Sequence, residues 1–201
     1  MQTSLIVYLF ILLPVTGVCL NCERCSSSNS DSCIGTPYTC PLSEDACLIF
    51  TSENIVGNDR WFSTFKGCTK KKFCPPTPMG FTFPNQRKRR AAKCCHKDLC
   101  NAGSVTLPRL GARPNGLQCP GCFSQNPRCR PTETLNCHGW ERKCVYYDVS
   151  VQQGDEIYTY AKRGCGTKHA CVSGPRTLGI PGLYVEIWKN AMCTPAVKYM
   201  H

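Results

Sequence analysis

Apolar residues run along this chain in short β-type stretches separated by polar tips. Leu48–Thr51 and Trp61–Phe65 are rich in aromatic and branched side chains and flank a polar tip at Asn54–Asp59. Val145–Val151 and Ile157–Tyr160 flank Gln152–Glu156 in the same way. Paired runs of this kind around a glycine-containing tip predict β-hairpins. Both returning strands end in Gly-Cys, at Gly67-Cys68 and Gly164-Cys165. No segment sustains a 3.6-residue period over three turns, so the pattern predicts an all-β protein. The one long apolar run, Leu5–Val18, follows an uncharged start and is followed by the small residue Cys19. It reads as a secretory signal peptide over residues 1–19. The run is shorter than the roughly 20 residues that span a bilayer, and Pro14 interrupts it. The segment Thr194–His201 has no hydrophobic tail, so neither a membrane span nor a lipid anchor is expected. The chain is expected to be secreted and extracellular.

Composition adds the constraint that holds such short strands together. The chain has 19 cysteines in 201 residues, with 15 Pro and 16 Gly, 42% hydrophobic and 18% charged residues. This is the balance of a folded, turn-rich, disulfide-held chain rather than of a disordered or long-helical one. The cysteine count is odd. With Cys19 assigned to the signal peptide, 18 remain, and their spacing repeats. Cys22, Cys25, Cys40, Cys47, Cys68 and Cys74 recur 97 residues on as Cys119, Cys122, Cys137, Cys144, Cys165 and Cys171. Cys33 and Cys94 correspond to Cys129 and Cys193 with small departures. The chain is therefore two copies of one module. The modules are expected at 20–103 and 119–201, with 104–118 as a Pro- and Gly-containing linker free of cysteine. Spacing alone leaves many pairings open.

The opening Cys22-x2-Cys25 and the closing Cys94-Cys95-His-Lys-Asp-Leu-Cys100-Asn101 resemble the lymphocyte-antigen/urokinase-receptor three-finger family. The resemblance implies two tandem three-finger domains. It implies bridges Cys22–Cys47, Cys25–Cys33, Cys40–Cys68, Cys74–Cys94 and Cys95–Cys100 in the first module. In the second it implies Cys119–Cys144, Cys122–Cys129, Cys137–Cys165 and Cys171–Cys193. The second copy lacks the final Cys-Cys…Cys-Asn loop, so its carboxyl edge is expected to be less tied down. The tandem architecture and the Pro114-Asn115-Gly116-x-x-Cys119 sequence are most similar to gamma-type phospholipase A2 inhibitors, with salamander sodefrin precursor-like courtship proteins as the nearest rival. The first resemblance implies that Leu107, Pro108, Pro114, Asn115 and Gly116 contribute to contact with a secreted phospholipase A2. The second implies a signalling ligand for a cell-surface receptor.

Candidate chemistry changes this picture little. In an oxidising compartment, the Cys-x-x-Cys pairs and His96, His138, His169 and His201 are assigned to no metal site. No nucleophile elbow, His-Glu-x-x-His or phosphate-cradling loop is present. No catalytic residue, cofactor or nucleic-acid partner is expected, and a rigid scaffold displaying loops to an extracellular protein is.

Charge is the individual feature. The net charge is +11, and both halves are basic, with 12 basic and 7 acidic residues at 20–103 and 12 and 6 at 104–201. Lys70, Lys71 and Lys72 form one run and Arg87, Lys88, Arg89 and Arg90 another, near Lys66, Phe81 and Phe83. These runs are expected to face solvent as a surface for sulfated glycan or anionic lipid. Arg87–Arg90 also reads as a furin-type processing site. The basic surface favours an acidic partner over a basic phospholipase.

Overall fold

The computed structural model of the chain describes residues 19–198. The expected signal peptide, apart from Cys19, lies outside the described residues. The first module comprises β1 (Asn21–Ser27), β2 (Thr36–Thr39), β3 (Ala46–Val56), β4 (Asp59–Thr69), β5 (Met79–Phe83) and β6 (Gln86–Cys95). The second comprises β7 (Pro114–Ser124), β8 (Glu133–His138), β9 (Lys143–Gln153), β10 (Glu156–Gly166), β11 (Arg176–Ile180), β12 (Tyr184–Pro195) and β13 (Val197–Lys198). The protein is all-β and disulfide-rich, with β3–β4 and β9–β10 as the two long hairpins. Their strands continue through the residues that read as polar tips. The turns shrink to Gly57-Asn58 and Gly154-Asp155, each opened by a glycine with positive φ, +61° and +58°.

Nine disulfides close the modules: 22–47, 25–33, 40–68, 74–94, 95–100, 119–144, 122–129, 137–165 and 171–193. These are the same pairs that the family resemblance implies. Cys19 is unpaired. The sulfurs of Cys22, Cys40 and Cys68 cluster, as do those of Cys119, Cys137 and Cys165, but all six are in disulfides and supply no thiolate to a metal.

The modules share one sheet, in the order β11-β12-β9-β10-β5-β6-β3-β4-β1-β2, with β7 also on β10 and both β8 and β13 on β7. The join is β5 to β10, where Thr82 faces Cys165 and Phe81 faces Gly166. The Gly-Cys ends of the returning strands have a reason here. A Cβ on Gly164 would stand 2.1 Å from the Thr82 carbonyl oxygen, and one on Gly67 would stand 2.9 Å from Ile180. Only glycine lets the other module approach so closely. Around the join, Met79, Phe81 and Phe83 share a core with Val145, Tyr147, Val149, Val151, Leu178 and Trp188. Likewise Leu48, Phe50 and Phe65 pack on Ile180, Leu183 and Tyr184. The alternation of Val145, Tyr147, Val149 and Val151 along β9 places this apolar set on one face, as a period of two requires.

Two expectations change. The second module's carboxyl edge is held after all: β13 pairs with Leu117 and Gln118 of β7, and Ala196 N–H donates to the Arg142 carbonyl at 3.1 Å. In the first module the corresponding closure is Asn101, fully buried, whose side chain bonds the Glu23 backbone in both directions and the Leu48 carbonyl. Pro114, Asn115 and Gly116 are not free linker either, because β7 begins at Pro114. Asn115 donates to the carbonyls of Gly139 and Glu141 at 3.0 and 2.9 Å and so fixes the start of the strand.

Candidate functional site

The run Arg87–Arg90 lies on β6 in the middle of the shared sheet, and strand alternation sends its members to opposite faces. On one face, Arg89 pairs with the fully buried Glu53 and donates to the Pro108 carbonyl at 2.9 Å. Arg87 donates to the Gly111 carbonyl at 2.7 Å. These two side chains strap the connector to the sheet. Gly111 completes the strap by packing against Gly139, where a Cβ would stand 2.4 Å from the Gly139 Cα.

On the opposite face, Arg90 is buried and forms a bidentate pair with Glu186 of β12, with Nη1 2.8 Å from Oε2 and Nη2 on Oε1. Glu186 also accepts from Tyr184 Oη at 2.5 Å and Trp188 Nε1 at 2.9 Å. Burial alone would raise the Glu186 carboxyl, but Arg90 and these donors outweigh it and hold the group well below the usual carboxylate range. Arg90 in turn lies over the rings of Phe50 and Phe81 at 5.4 and 6.0 Å.

Arg90 is therefore buried, while Arg87, Lys88 and Arg89 are half-buried, with Arg87 and Arg89 committed to the connector. The backbone of the run is paired on both sides, with β3 and β5, so the folded strand does not enter a protease cleft as an extended substrate. Lys66, expected beside it, is buried on Glu23 at 3.0 Å. Lys70, Lys71 and Lys72 do lie at the surface, in the turn after β4, with Lys70 and Lys72 flanking the Phe73 ring.

Two cavities border the module boundary. One, of about 660 Å³, lies beside the connector and is lined by Pro108, Leu110, Trp140, Arg109, Arg142 and His169, among others. Trp140 is 77% exposed at its edge, with the Arg142 guanidinium 5.8 Å from its ring. Leu107 and Pro108 are half-buried in the connector that forms one wall. A flat indole ringed by cations in a concave site can take an apolar side chain flanked by carboxylates.

The other, of about 800 Å³, opens between the tips of the β3–β4 and β9–β10 hairpins. Lys88 and Lys162 line its floor, and Trp61, Phe123, Ile157 and Tyr158 its walls. Nothing near these residues in sequence announces the site, because Lys88 and Lys162 come from different modules. The available signal is a charge set in an apolar face: Lys162 follows Tyr158 and Tyr160 at a period of two, and Glu186 sits between Tyr184 and Trp188 in the same way.

Comparisons with known proteins agree with this architecture. A u-PAR/Ly-6 domain profile matches twice, at residues 19–103 and 115–195. Phospholipase A2 inhibitor NAI of Notechis ater is 25% identical over 201 residues, 98% of each chain. A gamma-type phospholipase A2 inhibitor of Gloydius brevicaudus siniticus is 30% identical over 77% of this chain and 78% of its own. Ly6/PLAUR domain-containing protein 8 of Mus musculus is 26% identical over 90% of this chain and 70% of its own. With its two matched domains, the chain belongs to the u-PAR/Ly-6 domain family.

Proposed function

We propose that this chain is a secreted, non-enzymatic protein that binds an acidic secreted phospholipase A2 at the cleft beside the connector. The observation that carries the reading is similarity over 98% of the chain to a protein named as a phospholipase A2 inhibitor. Three features support it. Disulfides make a stiff base, so little order is lost when the loops dock. The cleft puts an exposed Trp140 among Arg109, Arg142 and Lys168, the aromatic and arginine side chains that dominate binding energy at interfaces. The net charge of +11 speeds encounter with an acidic enzyme and repels a basic one.

The test is a panel of secreted phospholipases A2 of graded charge, mixed with the disulfide-intact protein. Complex formation is followed by size-exclusion chromatography and hydrolysis by fatty-acid release. The reading expects complexes with acidic members, weakening as salt rises. Failure to bind any member refutes it.

A further inference from the structure

We propose that the groove between the two hairpin tips binds a single-chain amphiphile with a carboxylate head, held by Lys88 and Lys162 with its alkyl chain along the aromatic wall. The site lies on the face of β6 opposite Arg87 and Arg89, so it is separate from the connector cleft.

Charge at the groove is unbalanced. Three cations, Lys88, Arg90 and Lys162, face the groove and the small space beneath it, with one carboxylate, Glu186. Glu186 is already committed to Arg90, Tyr184 and Trp188. Of the other buried carboxylates near β6, Glu53 is taken by Arg60 and Arg89, and Glu141 accepts from Thr82 Oγ1 and the His138 N–H. Among the described residues, no carboxylate comes within ion-pair distance of Lys88 or Lys162. Lys162 finds only the neutral Gln86 Oε1 at 2.7 Å and the faces of Tyr160, Phe123 and Phe83 at 4.6, 5.3 and 5.5 Å. Burial, and then Arg90, push the Lys162 ammonium down to about 8 and move Lys88 the same way. Two half-buried cations without a counter-ion destabilise a fold that could have used methionine there, and an anion on the floor relieves this.

The groove also has the shape of an extended chain. The floor charge is roofed by side chains with apolar bodies. Tyr160 and Tyr158 precede Lys162 on the same side of β10, and Phe123 of β7 is its cross-strand neighbour. From Lys162 to Tyr158 is about 14 Å of strand at about 3.4 Å per residue, the reach of roughly ten methylenes. Glu156 stands at the far, solvent end, where it does not oppose the head group. A short acidic side chain of a protein partner would meet the lysines but leave this wall unused.

The disulfide-intact chain is titrated with dodecanoate, octanoate, acetate, dodecyltrimethylammonium and an acetylated glutamate-rich peptide, using calorimetry and tryptophan fluorescence. One dodecanoate is expected per chain, with affinity rising about fourfold per methylene and no competition from the cationic amphiphile. Lys88→Met and Lys162→Met each weaken dodecanoate about tenfold or more while raising the thermal midpoint. Should a lysine variant not fold, Phe123→Ser, at an exposed wall position, flattens the chain-length dependence. Equal binding of both amphiphiles, dodecanoate binding unchanged by the double methionine variant, or binding of the peptide without dodecanoate would overturn the proposal.

Discussion

Arg90 and Glu186 are 96 residues apart in sequence and form a bidentate, buried ion pair across the boundary between the two modules. The pair converts a run of basic residues into an internal clamp. Removing one partner leaves a buried charge uncompensated, whereas removing both leaves a site that apolar side chains can fill. Arg90→Met and Glu186→Gln are each expected to cost about 3–5 kcal/mol, and Arg90→Met with Glu186→Leu much less than their sum. Denaturant unfolding of the disulfide-intact single and double variants measures this directly.

The same clamp sets a pH dependence. Glu186 stays ionised in the folded protein below the pH at which an unfolded glutamate takes up its proton. The unfolded chain therefore binds more protons as pH falls through about 4.5, and the stability contributed by Glu186 is progressively lost below that. Glu186→Gln should flatten this acid limb of a plot of unfolding free energy against pH.

Lys162 acts at the alkaline end. Its folded value of about 8 lies below the 10.5 of an unperturbed lysine, so between these values the unfolded chain holds the extra proton. Stability is expected to rise with pH from about 8. Above about 10 the slope reverses, because tyrosines of the unfolded chain ionise there while burial keeps Tyr160 and Tyr184 protonated in the folded one. Lys88 is shifted in the same direction and adds to the rise, so Lys162→Met should shrink it and the double methionine variant remove it.

The pairing of β6 on both sides and the tethering of Arg87 and Arg89 also set how basic residues respond to outside reagents. A protease specific for paired basic residues is expected to leave the folded chain intact and to cut it after reduction and denaturation, read by mass spectrometry. On a heparin column, replacing Lys70, Lys71 and Lys72 by Ser should lower the salt needed for elution. Replacing Arg87 and Arg89 by Ser should change it less, because both side chains are already bound to connector carbonyls.

These residues also show what could be read along the chain. The hairpins and the two copies were legible because strand alternation and cysteine spacing are local or periodic signals, and the family resemblance supplied the pairing. Arg87–Arg90 reads as a solvated run because burial of Arg90 by the other module and tethering of Arg87 and Arg89 to the connector leave no mark on the run itself. Lys88 and Lys162 were missed as a pair for the same reason, since the groove exists only once β5 joins β10. Pro114–Gly116 read as linker because proline and glycine are usual there, yet the Asn115 side chain draws them into β7.

The most direct test of the central claim, binding at the connector cleft, is a calorimetric titration of an acidic secreted phospholipase A2 with the intact chain and with its Trp140→Ser variant. Trp140 is exposed, so the variant should fold as the parent does. The parent is expected to bind one-to-one and Trp140→Ser about thirtyfold more weakly, as for a central interface aromatic worth about 2 kcal/mol. No binding by the parent, or equal binding by both proteins, would contradict it.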